Sequence, residues 1–242
     1  MKKLLLVFAS IVLLGYLVFS LVFFNDSSKK EECSAIEISI KDSLNIRFLK
    51  QTELEKLLTK ENVHPVGKLM NEVNTLAIRD ALMSNKAVKN AKVYIKGDKV
   101  YASVYQRRPV FRAISNTKGS FYVDNEREVM PVSNDFSTYL PVATGAIDEE
   151  FATNELFDFI MYLNDNPNWE AWVDQIVVKP NKDVDLIPHA GDFRIAFGKL
   201  DNYNEKFSRL SLFFEKGLNV VGWNRYSIIS LKYDNQVVCT RK

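Results

Sequence analysis

Residues 92–105 read Lys92-Val93-Tyr94-Ile95-Lys96-Gly97-Asp98-Lys99-Val100-Tyr101-Ala102-Ser103-Val104-Tyr105. Val93 and Ile95 alternate with larger polar neighbours, and Val100, Ala102 and Val104 do the same, the period of two expected of half-buried strands. Gly97-Asp98 between them is a two-residue hairpin turn of the primed type. Upstream, Ile36, Ile38 and Ile40 alternate with Glu37 and Ser39 as a first strand. Thr52-Glu53-Leu54-Glu55 has the spacing of a capping box, with Leu54, Leu57 and Leu58 as the stripe of the helix it opens. Asn74 is a good N-cap for a second helix with Ala77, Ile78, Ala81 and Leu82 on one face. The order strand, helix, helix, strand, strand over residues 36–108 makes an αβ domain of about 70 residues, small but able to fold.

Ahead of it, Leu4 to Phe24 carries no charge. As a helix this run is ~32 Å long, the thickness of a bilayer core. It is longer than the apolar core of a signal peptide and ends Leu21-Val22-Phe23-Phe24, bulky where a peptidase needs small residues. Cys33 follows Lys30-Glu31-Glu32, unlike a lipidated cysteine. The reading is an uncleaved anchor from Leu4 to Phe24, a cytoplasmic tail of residues 1–3 and a polar linker over 25–35. Lys2 and Lys3 keep the N-terminus cytoplasmic. Most of the chain then lies outside the cytoplasm, where there is no ATP to drive nucleotide chemistry.

Residues 109–242 form the second domain, with strands at Phe111–Ser115, Phe121–Val123, Glu128–Val132, Gln175–Lys179 and Phe193–Phe197. Helices are expected over about 149–164, and over about 201–216 with Gly217 as the residue after its end. Two strands, Tyr226–Tyr233 and Gln236–Thr240, close the chain around a tight turn at Asp234-Asn235. The fold class is α+β: a single transmembrane helix, an αβ domain, and a mostly antiparallel β domain with two helices.

Of the 242 residues 47% are hydrophobic and 26% charged, and Lys and Arg total 32 against 30 for Asp and Glu. This excludes disorder and several membrane spans, and it is too balanced for the basic face nucleic acid needs. Two cysteines and two histidines rule out a disulfide scaffold and leave little for metal chemistry. Phosphate loops and the signatures of zinc peptidases and serine hydrolases are absent. His64 and His189 read as loop histidines, and Asp148-Glu149-Glu150 as acids complementing a helix start. Arg107-Arg108 reads as solvated. No catalytic residue, cofactor, metal or small-molecule substrate is expected. Cys33 and Cys239 read as two free thiols, with a disulfide as the alternative. The segment Gln236-Val237-Val238-Cys239-Thr240 is apolar and uncharged. At a sheet edge it offers unpaired backbone groups to a partner strand; in a sheet centre it only closes the core.

In this order the segments resemble the FtsQ/DivIB family of bacterial cell-division proteins. Asn74-Thr75-Leu76 ahead of Ala87-Val88-Lys89-Asn90-Ala91-Lys92-Val93 is similar to the family's POTRA domain. Arg107-Arg108-Pro109-Val110-Phe111 and then Phe121-Tyr122-Val123-Asp124 resemble the opening of its β domain. Ile229-Ser230-Leu231-Lys232-Tyr233-Asp234 and Gln236-Val237-Val238 resemble its last two strands, and the Gln-Val-Val-Cys ending resembles the branch found in Bacteroidetes. The resemblance implies a non-catalytic, single-pass inner-membrane scaffold at the division septum, with both domains in the periplasm. It implies partners of the FtsB/FtsL type at the β domain and other membrane proteins of the divisome at the POTRA-like domain. Tyr233, Gln236, Val237, Val238, Cys239 and Thr240 are the partner-binding residues it implies. The very short cytoplasmic tail, and Arg241-Lys242 in place of an aromatic anchor, depart from longer relatives. Two other functions compete: a POTRA-type protein of outer-membrane assembly, and an anchored envelope hydrolase using His64 or His189.

Overall fold

The computed structural model describes residues 10–21, 31–41, 48–132 and 140–242. The chain divides into two compact units, residues 1–106 and 107–242.

Residues 10–21 of the first unit are helical (α1) and their apolar side chains are exposed, Leu21 by 71%. Leu4 and Phe24, the expected ends of the anchor, lie outside the described residues. Among the described residues no helix is long and apolar enough to cross a membrane. Residues 31–33, in the stretch expected to be a linker, are tied to residues 67–70: the Cys33 amide donates to Lys68 O, the Gly67 amide to Cys33 O and the Met70 amide to Glu31 O.

A three-stranded sheet follows, in the order β1-β3-β2, from β1 (Ala35–Lys41), β2 (Val88–Lys96) and β3 (Lys99–Gln106). β1 runs parallel to β3, and β2 antiparallel to it. Gly97 has φ +62 and Asp98 does not share that sign, so one left-handed position makes the hairpin turn. Val100, Ala102 and Val104 are buried and oppose Ile36, Ile38 and Ile40 across the ladder. The core there is completed by Leu54 and Leu58 of α2 (Gln51–Lys60) and Ile78, Ala81 and Leu82 of α3 (Thr75–Met83). Asn74 caps α3 as expected, its Oδ1 accepting from the Leu76 and Ala77 amides. The capping box of α2 does not form. The Glu53 and Leu54 amides donate to Lys50 O, so the helix starts before Thr52, and Glu55 instead accepts from Gln51 Nε2 at 2.9 Å.

The second unit is built on a nine-stranded sheet in the order β12-β11-β10-β9-β8-β7-β4-β5-β6. Its strands are β4 (Pro109–Ser115), β5 (Gly119–Asp124), β6 (Val129–Pro131), β7 (Val142–Gly145), β8 (Val173–Val178), β9 (Val184–Pro188), β10 (Arg194–Gly198), β11 (Tyr226–Ser230) and β12 (Val238–Arg241). The β4–β7, β7–β8 and β10–β11 pairs are parallel and the others antiparallel. Phe111, Ile176, Leu186, Ile195 and Phe197 of the strands share one core with helical Phe159, Ile160, Phe207 and Leu210. Burying each such side chain contributes about 1.5–3 kcal/mol. The Phe159 ring sits 5.2 Å from that of Phe197 and 5.3 Å from that of Tyr203.

The helix expected over 149–164 is two, α4 (Glu149–Thr153) and α5 (Glu155–Asn164), broken at Asn154 with φ −113 and ψ −98. Arg127 Nη1 donates to Thr153 O, a carbonyl that a continuous helix would use itself, while Glu150 O accepts both the amide and Nδ2 of Asn154. A single turn, α6 (Pro167–Glu170), follows. Near the chain end, α7 (Tyr203–Phe213) continues through a π-helical turn at Phe214–Leu218 into α8 (Asn219–Val221). Gly222, with φ +96, ends it rather than Gly217, which lies inside the π turn where a Cβ would press on the Phe213 ring.

Candidate functional site

β12 is an edge of the large sheet, and among the described residues no strand pairs with its outer side. Antiparallel to β11, it sets Val238 opposite Ser230, Cys239 opposite Ile229, Thr240 opposite Ile228 and Arg241 opposite Tyr226. The register shifts between Tyr226 and Ile228, and there Ser227 Oγ donates to Thr240 O and Arg241 O, both at 3.3 Å. The chain end is held by the Lys242 amide, which donates to Arg225 O (3.2 Å), and by Lys242 Nζ on Asp192 (2.7 Å). That hydrogen bond holds the Asp192 carboxyl below its ordinary pKa. The opposite edge is different: β6 has three residues and finishes on Pro131, a shape that discourages pairing.

Side chains alternate along this edge. Val237 and Cys239 pack against the core, whereas Val238 (42% exposed) and Thr240 face solvent. In an antiparallel ladder half of the main-chain groups of an edge strand point away from its neighbour, free to bond to an added strand. Burial pushes the pKa of the Cys239 thiol up, and both it and Cys33 are free.

The strand expected from Gln236 starts two residues later. The connection 231–237 is drawn onto α7, where Arg209 Nη1 donates to Tyr233 O and Gln236 O and Nη2 donates to Leu231 O. Asn235 turns the loop with φ +57, and Lys232 pairs with Asp183. Of the six expected residues, Val238, Cys239 and Thr240 are therefore on the edge itself. Tyr233 and Gln236 belong to the clamped loop, and Val237 faces the core. Arg209 was not foreseen: it lies 24 residues before Tyr233, and no local spacing points from one to the other.

The remaining candidates take structural places. Asp148 caps α4, accepting from the Phe151 amide at 2.8 Å, and the Lys182 ammonium bonded to it lowers its pKa. His189 is exposed, 3.8 Å from Asp174, and His64 is half-buried in the segment between α2 and α3. Arg107, expected in solvent, donates to the fully buried Asp124 at 2.8 Å, because that carboxylate also accepts the Glu126 and Glu128 amides and needs a cation.

Residues 31–104 match the family described as POTRA-like domain. No curated protein matches the chain significantly. Residues 108–240 match the family described as FtsQ/DivIB, C-terminal related. That match spans more than half of the 242 residues and contains every strand of the large sheet but the last residue of β12, so the chain belongs to the FtsQ/DivIB C-terminal related family.

Proposed function

We propose that the protein is a non-catalytic scaffold of the bacterial division complex, held in the inner membrane by its N-terminal segment with both domains in the periplasm. A partner of the FtsB/FtsL type adds a strand to β12, and other divisome membrane proteins meet the POTRA-like domain. The observation that carries this reading is the free edge of β12, backed by a core-facing Cys239 and presenting Val238 and Thr240 outward. Main-chain hydrogen bonds then supply affinity, and the exposed side chains supply specificity. The family assignment supports a role in division, and the two domain matches in this order support a scaffold rather than an enzyme.

Photocrosslinking from positions 238 and 240 in growing cells tests it. Capture of a small division protein at both, and of none from position 237, is the expected result. A second arm is depletion followed by microscopy with a membrane stain: smooth filaments with segregated chromosomes are expected. Normal division with a leaky envelope would reject the reading in favour of outer-membrane assembly.

A further inference from the structure

The sheet of the POTRA-like unit has one side covered by α2 and α3 and one side open. The ladder places Glu37, Tyr101 and Tyr94 in one row of the open side, Ser39, Ser103 and Lys92 in the next, and Lys41 with Tyr105 in a third. Lys96 opposite Lys99 completes it at the hairpin end. Four lysines thus stand against one glutamate, and Glu37 is already paired with Lys99 at 3.0 Å. The helix side has no such bias: α2 and α3 carry Glu53, Glu55 and Asp80 against Lys56, Lys60 and Arg79.

Tyrosines fill the space between the lysines. The Tyr94 and Tyr101 rings stack across the strands, 5.3 Å apart and 11° from parallel, yet Tyr94 stays 51% exposed. Lys92 Nζ lies 5.8 Å from the centre of the Tyr105 ring, itself 36% exposed. Rings with an apolar body and a polar tip, set among long-stemmed ammonium groups, are the composition of a membrane–water interface.

We propose that this open face lies against the anionic phospholipid headgroups of the membrane that anchors the chain. The proposal rests on the anchor in the reading above. Residues 22–34 separate the described part of α1 from β1, and a chain of that length reaches at most about 45 Å. The sheet is therefore confined near the bilayer surface, and lysines near anionic lipid add attraction of about fivefold each. An acidic protein partner is the competing occupant.

The test uses the full chain in vesicles of phosphatidylcholine with or without phosphatidylglycerol. The photoreactive residue p-benzoylphenylalanine replaces Tyr94 or Tyr105, or Leu76 on α3 as the control. Lipid adducts at 94 and 105 but not at 76, dependent on phosphatidylglycerol and falling about fivefold for each of Lys92→Gln and Lys96→Gln, are expected. A chain that floats with alkali-washed vesicles but gives equal adducts at all three positions, or none, overturns the proposal and leaves the anchor standing. A chain that alkali strips from the vesicles overturns both. In cells, protein adducts at 94 and 105 in place of lipid adducts would give the face to a protein partner.

Discussion

Arg209 donates a guanidinium hydrogen bond to the main-chain oxygen of Tyr233, and through it α7 holds the loop that delivers β12 to the sheet edge. The same side chain reaches Leu231 O at 3.3 Å and Gln236 O at 3.4 Å. Three carbonyls that enter no ladder are thereby satisfied, which is why the loop keeps one course between Ser230 and Val238. Arg209→Ala is expected to destabilise the second unit by about 1–3 kcal/mol. All three tryptophans, Trp169, Trp172 and Trp223, lie in this unit, so denaturant unfolding followed by tryptophan fluorescence reads it without the first. An unchanged midpoint would remove Arg209 from the account of the edge.

The other tie on that loop titrates. The hydrogen bond from Lys232 is the main cause that depresses the Asp183 carboxyl pKa. A carboxyl lower in the folded than in the unfolded chain stabilises fully above its unfolded value, near pH 4, and that contribution disappears as pH falls through the folded value. Asp148, depressed by Lys182, acts in the same direction. The melting temperature is expected to fall between pH 5 and pH 3, and Asp183→Asn is expected to show a smaller fall. Parallel curves for the two proteins would exclude this pair as a contributor.

What the sequence conveys and what it hides divide along a physical line. Val100, Ala102 and Val104 alternate within one strand, and Asn74 caps the helix beside it, so local periodicity and local hydrogen bonding suffice to place them. β9 is hidden because its last residue is a proline and its second is Asp185, an acid that reads as exposed. It is buried only because Lys179 and Arg194 reach it at 2.7 and 2.8 Å from neighbouring segments. β7 is hidden by its four residues, too few to show a period. For the candidate site, the apolar ending is legible from Gln236 to Thr240. Its edge position and the clamp at Arg209 depend on pairings between distant segments, which no window of sequence contains.

Gly145 closes β7 against β8 with φ +113, and a Cβ there would run into the carbonyl oxygen of Val178, which accepts from the Ala146 amide. Both the left-handed backbone and the close approach demand glycine. Gly145→Ala is expected to destabilise the second unit by more than about 1 kcal/mol, read by the same tryptophan-monitored unfolding. Gly119→Ala is the comparison: its φ is +73 but nothing lies within 4 Å, so it carries the backbone strain without the clash and should be milder. Equal losses would mean that the contact with Val178 contributes nothing.

Partner binding and stability separate on β12 because its side chains alternate. Val238 is 42% exposed on the solvent side, so Val238→Lys places a charge in water and is expected to change stability by less than about 0.5 kcal/mol. The same charge stands beside the cross-strand neighbour that an added strand would bring to this face, and edge lysines are among the devices by which natural sheets discourage new strands. Capture of the partner by the purified protein should therefore be lost while the unfolding midpoint stays. Cys239 packs against the core one residue on, so Cys239→Asp buries an unpaired carboxylate and should lower the midpoint itself. Thr240→Lys, again on the exposed side, should repeat the result for Val238. Full capture by both lysine variants would mean that the side chains of Val238 and Thr240 take no part in choosing the partner. Loss of capture only in the Cys239 variant would point to a requirement for the folded β domain and not for the edge.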